Sequence, residues 1–582
     1  MSEFNLIDEP WISVVTDYKG TTKLVGLREF FQNCHYYLDF AGEMPTQNFA
    51  VMRFILAILH TVFSRFDADG NPYEIVKIDD KMLQTEPILK EDESRYRRKL
   101  MKTWENLWNN GEFPEIVLDY LECWHDRFYL FDEEFPFYQV KEDFSGKCEL
   151  YNQKQPTKDA GQMSFKTINR LISETKDNTA IFSMVNAEDN PFRDKLTNSQ
   201  LTRWIINFMG YTSTPDKIKI KSFEEVKNIE KYEGHKGWLY SIGGLHYKSN
   251  NLFKTLLLNL VLVHPSKKFI TAIQRPAWEY SPEENIKFYL NGSKIDNLAR
   301  LYTDYSRAMR ISEKKDKYGR YLEIIQLPIL DKKDSFLECM TVWKNSGNKD
   351  DDIFIPMENN PHESLWRNFG MIFNKNKASK TYRTPYIIDW VDTISKFIDT
   401  SELGLVALGI KGDRTSSNTM KNEMYDELRI NYEVSTDYSD KGWVGRINDV
   451  VEKTKEFINT DYKNFIKVIL RLKKVEDKKN NPELNSYLES LYFNIDKPFK
   501  DWLSSIEYDE SMDDKMDEWF KIFKNIILKE VDQICSTLSS NYYVIQEIKV
   551  DKKKQNKNVA IALNNLMNKL NGLNKGGIDG RF

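Results

Sequence analysis

Glycine is scarce in this 582-residue chain, at 25 residues, and the glycine-built signatures are missing with it. No G-x-G-x-x-G opens a dinucleotide fold, and no G-x-x-x-x-G-K-[ST] supplies a phosphate-cradling loop. Neither H-E-x-x-H nor the G-x-S-x-G elbow occurs. The five cysteines (Cys34, Cys123, Cys148, Cys339, Cys535) are odd in number and contain no C-x-x-C pair. That argues against a disulfide framework or a zinc ribbon and fits a reducing cytoplasm. Seven histidines are few for a metalloenzyme of this size. No excess of one charge exists either: 83 basic against 88 acidic residues leave a net charge of -5. A polyanionic partner would have to be met by local basic patches. The start, MSEFNLIDEPWISV, lacks a basic stretch followed by an apolar core, so it is not read as a signal peptide. The best membrane candidate, Phe49 to Phe63, is 15 residues long, carries Arg53 and His60, and reads as a buried helix. The expectation is a cytoplasmic protein with no membrane contact.

What the chain does have is apolar content, 41%, with 13% aromatics, enough for packed cores. The length predicts two or three domains. Phe4 to Val14 predicts a strand interrupted at Pro-Trp, and Thr46 is placed to cap the long apolar helix behind Pro45. Leu252 to Val263 (LFKTLLLNLVLV) is apolar enough to require burial on nearly all sides. Leu403 to Ile410 reads as a short buried strand ending in a Gly-Asp turn. From about Gly442 apolar residues recur at helical spacing: Ile447 to Ile469, Leu484 to Ile506, Met516 to Ile534 and Asn558 to Leu570. Their connections (Glu476 to Asn481, Asp509 to Asp514, Lys549 to Lys557) are polar. Four amphipathic helices so joined predict an antiparallel bundle. The expected class is α+β, with a mixed globular domain over 1-438 and a four-helix bundle over 439-582.

The chemistry search leaves one pair to weigh, His125-Asp126 in CWHDRF. A His-Asp pair can bridge two metals in a phosphohydrolase, but that needs further histidines and a distant aspartate. The competing reading is a surface helix end with Trp124 and Phe128 packing inward. No catalytic residues and no metal ligands are assigned. The alternatives carried are a metal-dependent phosphohydrolase centred on His125-Asp126, and a helical-bundle adaptor with no nucleic-acid role.

Several segments follow one another in a telling order: FNLIDEPWISV, the Pro45 to Gln47 helix start, WHDRFYLFDEEFPFYQV (Trp124 to Val140), DNTAIFSM (Asp177 to Met184), NLFKTLLLNLV, RPAWE (Arg275 to Glu279), YSRAMRI (Tyr305 to Ile311) and ALGIKGDRTSS (Ala407 to Ser417). Together they resemble the CasA family, the large subunit of the type I-E CRISPR surveillance complex Cascade. The resemblance spans residues 4 to about 430. It implies a subunit that is not an enzyme and uses no cofactor. Its implied partners are the other Cascade subunits, crRNA, double-stranded target DNA and a helicase-nuclease. The implied task is to read the short target-flanking motif, the PAM, and to help open the duplex, while base pairing reads the rest.

The same resemblance assigns roles. A lysine finger falls just after YSRAMRI, at Lys314, Lys315 or Lys317. A wedge loop is Gly412-Asp413-Arg414-Thr415, with Arg414 where the family has glutamine. A glycine loop follows the Trp204 to Met209 helix, and Gly210, Thr212 and Ser213 are its candidates. The Asn178 to Phe182 loop is similar to the crRNA and subunit-docking segment, with Asn178, Thr179, Ile181 and Phe182 as its residues. Basic patches at Arg95 to Lys99 and Lys375 to Arg383 mix cations with tyrosine, as backbone-tracking surfaces do.

Overall fold

A computed structural model describes residues 4-150, 162-164, 196-213, 218-240, 242-316, 319-347, 352-373, 375, 380-398, 402-412, 420-439, 441-475, 481-550 and 553-573. The chain divides into two compact units. The first comprises 1-361, 379-398 and 406-426, and the second 362-378, 399-405 and 427-582. Helices and strands are mixed in the first unit and helices dominate the second, so the fold class is α+β.

The first unit opens on a small antiparallel sheet, β1 (Ile12–Val15), β2 (Thr22–Val25) and β3 (Asp39–Phe40), in the order β2-β1-β3. The strand expected from Phe4 begins only at Ile12. Residues 5 to 9 coil instead, because the Asn5 side chain accepts from Ile7 N–H (2.9 Å) and its carbonyl accepts from Glu9 N–H (2.8 Å). Helix α1 (Pro45–Phe63) is long and apolar enough to cross a membrane, yet 17 of its 19 residues are buried within the protein. A helix apolar all round belongs inside a core. Its two ionisable side chains lie there as well. Arg53 makes a bidentate pair with Glu338 (2.9 and 2.8 Å), and the His60 ring packs edge-on against Tyr302. Thr46 does not cap α1. Met44 holds the N-cap position with Pro45 behind it, and both Thr46 N–H (2.9 Å) and its hydroxyl (2.5 Å) donate to Glu423.

Helix α2 (Asn198–Tyr211) starts on a capping box in which Thr197 and Gln200 satisfy each other's backbone donors. After it come strand β4 (Gly244–Lys248) and helix α3 (Leu252–Asn259). The apolar run is buried apart from the half-buried Lys254 and Val263, in line with the expectation, but its helix stops at Asn259. That buried amide accepts from Tyr247 N–H (2.9 Å) and donates to Tyr247 O (2.7 Å), tying the helix end to β4. Strands β5 (Arg307–Asp316) and β6 (Gly319–Gln326) form an antiparallel hairpin, with Gln162–Ser164 pairing on the β6 side. Strands β7 (Glu402–Gly412) and β8 (Met420–Asn431) join β4 in a sheet ordered β8-β7-β4. The strand expected at Leu403 to Ile410 is therefore present and longer.

In the second unit, α4 (Trp443–Phe457) runs through a π turn (Ile458–Tyr462) into α5 (Lys463–Leu472), making one long helix. With α6 (Pro482–Ser504), α7 (Met512–Ser536) and α8 (Val559–Gly572) it forms a C-terminal helical bundle. Trp519 is completely buried, and its indole donates to Thr454 (3.0 Å). The expected polar turn at Lys549 to Lys557 is a hairpin instead, β9 (Gln546–Val550) against β10 (Lys553–Lys557). Ile548 supplies its buried face, and the alternation of period two was masked by the surrounding lysines.

Candidate nucleic-acid interface

Three elements expected to meet DNA are rooted on one stretch of chain, His235 to Lys248. His235 closes the base of the β5-β6 hairpin. Its N–H donates to Leu327 O (2.7 Å), just past β6, and its carbonyl accepts from Arg307 Nη1, at the start of β5. Next along, Gly237 N–H donates to Thr212 O (3.0 Å) and Leu239 N–H to Gly210 O (2.8 Å), fastening the end of α2. The approach is close enough that a Cβ on Gly237 would lie 2.3 Å from Gly210 O, so glycine is required there. Further on, a Cβ on Gly409 in β7 would come within 3.2 Å of Ile242 O, and Asn359 Nδ2 donates to Leu408 O (2.9 Å). Lys332 braces the whole turn, donating to Trp238 O and Tyr240 O (2.8 Å each) and Gly237 O (3.3 Å).

Beneath this stretch lies a buried polar network. His235 Nε2 lies 2.8 Å from Asp304 Oδ2, and the other carboxylate oxygen accepts from Tyr289 OH (2.5 Å). Burial alone would raise the Asp304 pKa, but His235 and Tyr289 outweigh it and hold the carboxyl below its ordinary value. Tyr305 N–H donates to the Tyr289 hydroxyl (2.8 Å), so the network runs into the segment that starts β5. These groups are sealed from solvent: His235 is 0% and Arg307 0% exposed. Buried and mutually satisfied, they act as a frame and not as reacting groups.

Arg307 also reaches across to α2. Its Nη2 donates to Ser213 O (2.7 Å) and its Nη1 to Ser306 O (2.7 Å). Its cross-strand partner in the hairpin register is Gln326, whose N–H donates to Ile218 O (2.9 Å). One cross-strand pair thus grips both ends of the segment between Ser213 and Ile218. Tyr232 OH reinforces the second grip, donating to Gln326 O (2.5 Å) and accepting from Ile220 N–H (2.8 Å).

Comparison with known proteins fits this architecture. The model of the family described as CRISPR-associated protein Cse1 matches residues 5–529. The chain belongs to that family. A CasA/Cse1 protein of Thermus thermophilus is 30% identical over 141 residues, a match that covers 24% of this chain and 21% of the relative. The match thus spans about a fifth of that relative's length. The solved Thermobifida fusca Cse1 is similar over 98% of both chains, with a TM-score of 0.71 at 20% identity. Acidimicrobium ferrooxidans Cse1 is similar over 99% of both, with a TM-score of 0.68 at 17% identity. A chain of a CRISPR RNA-guided surveillance complex covers 98% of this chain with a TM-score of 0.65 at 13% identity. These likenesses show a shared fold.

Within this Cse1 fold the expected site residues fall as follows. Gly210 is the last turn of α2 and not part of a loop, and a Cβ there would meet Leu239 Cδ1 at 3.0 Å. Thr212 and Ser213 are buried, 2% and 7% exposed, so their backbone carbonyls serve the frame. Lys314 and Lys315 lie in the distal part of β5, where the register shifts between Ser312 and Asp316 before Asp316 pairs with Gly319. Gly412 is the last residue of β7. Lys317, Asp413, Arg414, Thr415, Asn178, Thr179, Ile181 and Phe182 lie outside the described residues.

His125 and Asp126 sit in a single 3-10 turn (His125–Arg127). His125 Nε2 contacts Asp8 (2.7 Å), its carbonyl accepts from Asn5 Nδ2 (3.0 Å), and Asp126 pairs with Arg127 (3.1 Å). Trp124 and Phe128 are buried, at 3% and 0% exposed. Among the described residues no three His, Cys, Asp or Glu side chains are grouped to hold a metal. In the basic patch at Arg95 to Lys99, Arg95 pairs with Glu74, Arg97 pairs with Glu93 (2.8 Å), and Tyr96 is buried. The residues that reasoning from sequence missed are Arg307, Gln326 and His235. Arg307 stands inside YSRAMRI, and a cation at the head of a buried strand was the available signal.

Proposed function

We propose that this Cse1-family chain is the large subunit of a crRNA-guided Cascade complex that reads the PAM in double-stranded DNA and helps open the duplex. In this reading its partners are the other Cascade subunits, crRNA, target DNA and a helicase-nuclease that it recruits. It works in the cytoplasm as a binding subunit. The mixed domain, taken as 1-438, carries the reading and docking loops.

The observation that supports the reading most is the common rooting of three separate chain segments on His235 to Lys248. A lysine finger beyond β5, a loop after α2 and a wedge beyond Gly412 would each need a fixed base to meet one short stretch of duplex. Minor-groove readout is degenerate, so tolerance of several PAMs is expected. Forcing a wedge between base pairs costs on the order of a few kcal/mol, which contacts from a rigid platform must offset.

The test is binding by the chain assembled with its complex and crRNA. Arg414→Ala should weaken binding of PAM-bearing duplex and spare a complementary single strand, which needs no opening. Equal loss on both substrates would remove the wedge role. Phe182→Ala should release a folded subunit from the complex. A variant that unfolds would instead make Phe182 a core residue.

A further inference from the structure

We infer that Arg307, with Gln326 opposite it, is a positioning residue that sets the distance between two DNA-contacting elements. This rests on the PAM-reading function proposed above. A guanidinium held at 0% exposure is expensive to bury, and an aliphatic side chain of similar volume would fill the same space more cheaply. What an aliphatic residue cannot do is hold three carbonyls at once. The carbonyls bound by Arg307 belong to three pieces of chain: Ser213 at the end of α2, His235 on the shared root, and Ser306 at the base of the hairpin. The planar fork fixes their mutual spacing in a way that a flexible ammonium does not.

The second anchor makes this a clamp and not a single contact. Arg307 and Gln326 face each other in the β5-β6 register. One takes Ser213 O by its side chain, and the other takes Ile218 O by its backbone N–H. The loop that leaves α2 therefore starts and ends on the two strands of the lysine-bearing hairpin. The hairpin base is crowded as well: a Cβ on Gly234 would lie 1.9 Å from Gln326 Oε1. The hairpin and the loop cannot move independently while the clamp is closed. Loosening it should blur the choice between correct and incorrect flanking motifs without touching the surface that pairs crRNA with a single strand.

The experiment uses the full chain reconstituted with the other subunits and crRNA of its complex. Three substrates are compared: duplex with the PAM, duplex with a scrambled flank, and the complementary single strand. Arg307→Lys keeps the charge and loses the fork. It should lower the ratio of PAM to scrambled-flank affinity by about tenfold, the scale of one lost charged hydrogen-bond anchor. Single-strand binding in the same preparation should stay within about twofold. Gly234→Ala should displace the flexible Gln326 side chain and lower the ratio in the same direction by less. Gly234→Ala alone decides the matter if Arg307→Lys fails to assemble. The inference is overturned if the ratio is unchanged in assembled variants, or if all three substrates weaken equally, which would mean a purely structural role. Failure of the underlying reading looks different. There the wild-type complex has no preference for PAM duplex, or Lys314→Ala, Lys315→Ala and Lys317→Ala together leave that preference intact.

Discussion

The two units solve the same packing problem with different chemistry. The second buries aromatics against one another: Trp366 stacks on Phe499 (4.4 Å between ring centroids), and Trp519 meets Phe499 (4.8 Å) edge-on. The first also packs buried aromatics, such as Trp104 on Trp108 (5.3 Å), and adds buried ion pairs. Arg53 pairs with Glu338, and Arg65 with Glu279 (2.7 and 2.9 Å), all with side chains no more than 3% exposed. Tyr120 OH donates to the same Glu279 (2.7 Å). An aromatic core tolerates exchange of similar volumes, whereas a buried ion pair is satisfied only by its own partners. The first unit is therefore the one built for fixed geometry, which the proposed reading role would require.

The largest expected effect breaks that contrast directly. Arg65→Met or Glu279→Gln alone should cost about 3–5 kcal/mol, because each leaves an uncompensated buried group. Replacing both with apolar residues should recover most of the loss. The volume-conserving Ile527→Leu in the bundle should cost less than about 1.5 kcal/mol. A double-mutant cycle by urea unfolding checks all of these. If Arg65→Met proves as mild as Ile527→Leu, the distinction between the units collapses.

Acid should separate the units next. His60 and His264 lie in the first unit, 2% and 4% exposed. Burial, with the neighbouring His264 and Arg53 charges, pushes His60 down to about 3, and burial pushes His264 down to about 4. The native state therefore resists protonation that the unfolded chain accepts below its ordinary value of 6.5. Stability from these groups is complete above about pH 7 and falls as pH drops from 6.5 toward 4, by roughly 1.4 kcal/mol per pH unit for each histidine. The second unit has one histidine, His362, and it is exposed. Hydrogen exchange between pH 7 and 5 should show protection falling first in the first unit. His60→Gln should flatten that slope, and an unchanged slope would refute the assignment.

The contrast also explains what could be read in advance. The bundle was legible because its order is local: Phe457, Trp519, Phe523 and Ile527 announce a buried stripe through spacing alone. The long apolar α1 and the strand at Leu403 to Ile410 were legible for the same reason. The clamp was not, because its bonds join residues 94 and 108 positions apart, Ser213 to Arg307 and Ile218 to Gln326. Nothing local announces that Thr46 will be held by Glu423, 377 residues on. The resemblance placed Gly210 in a loop after the Trp204 to Met209 helix. It sits one residue inside α2, where Leu239 N–H takes its carbonyl and the Leu239 side chain packs against its bare surface. The resemblance named the segments, and the structure supplied the frame that joins them.

The smallest expected effect sharpens the comparison from the bundle's side. Phe493 on α6 is 81% exposed, although it is flanked by the buried Leu491 and Ile495. Helical spacing puts 491 and 495 on one face and 493 on the other. If the bundle's stability resides in its inward aromatics, Phe493→Ser should change unfolding free energy by no more than about 0.5 kcal/mol. The same substitution should leave the denaturant slope unaltered, since little buried surface is involved. A loss above about 1 kcal/mol in the isolated chain would mean that this ring is covered in solution and the bundle's core extends past α6.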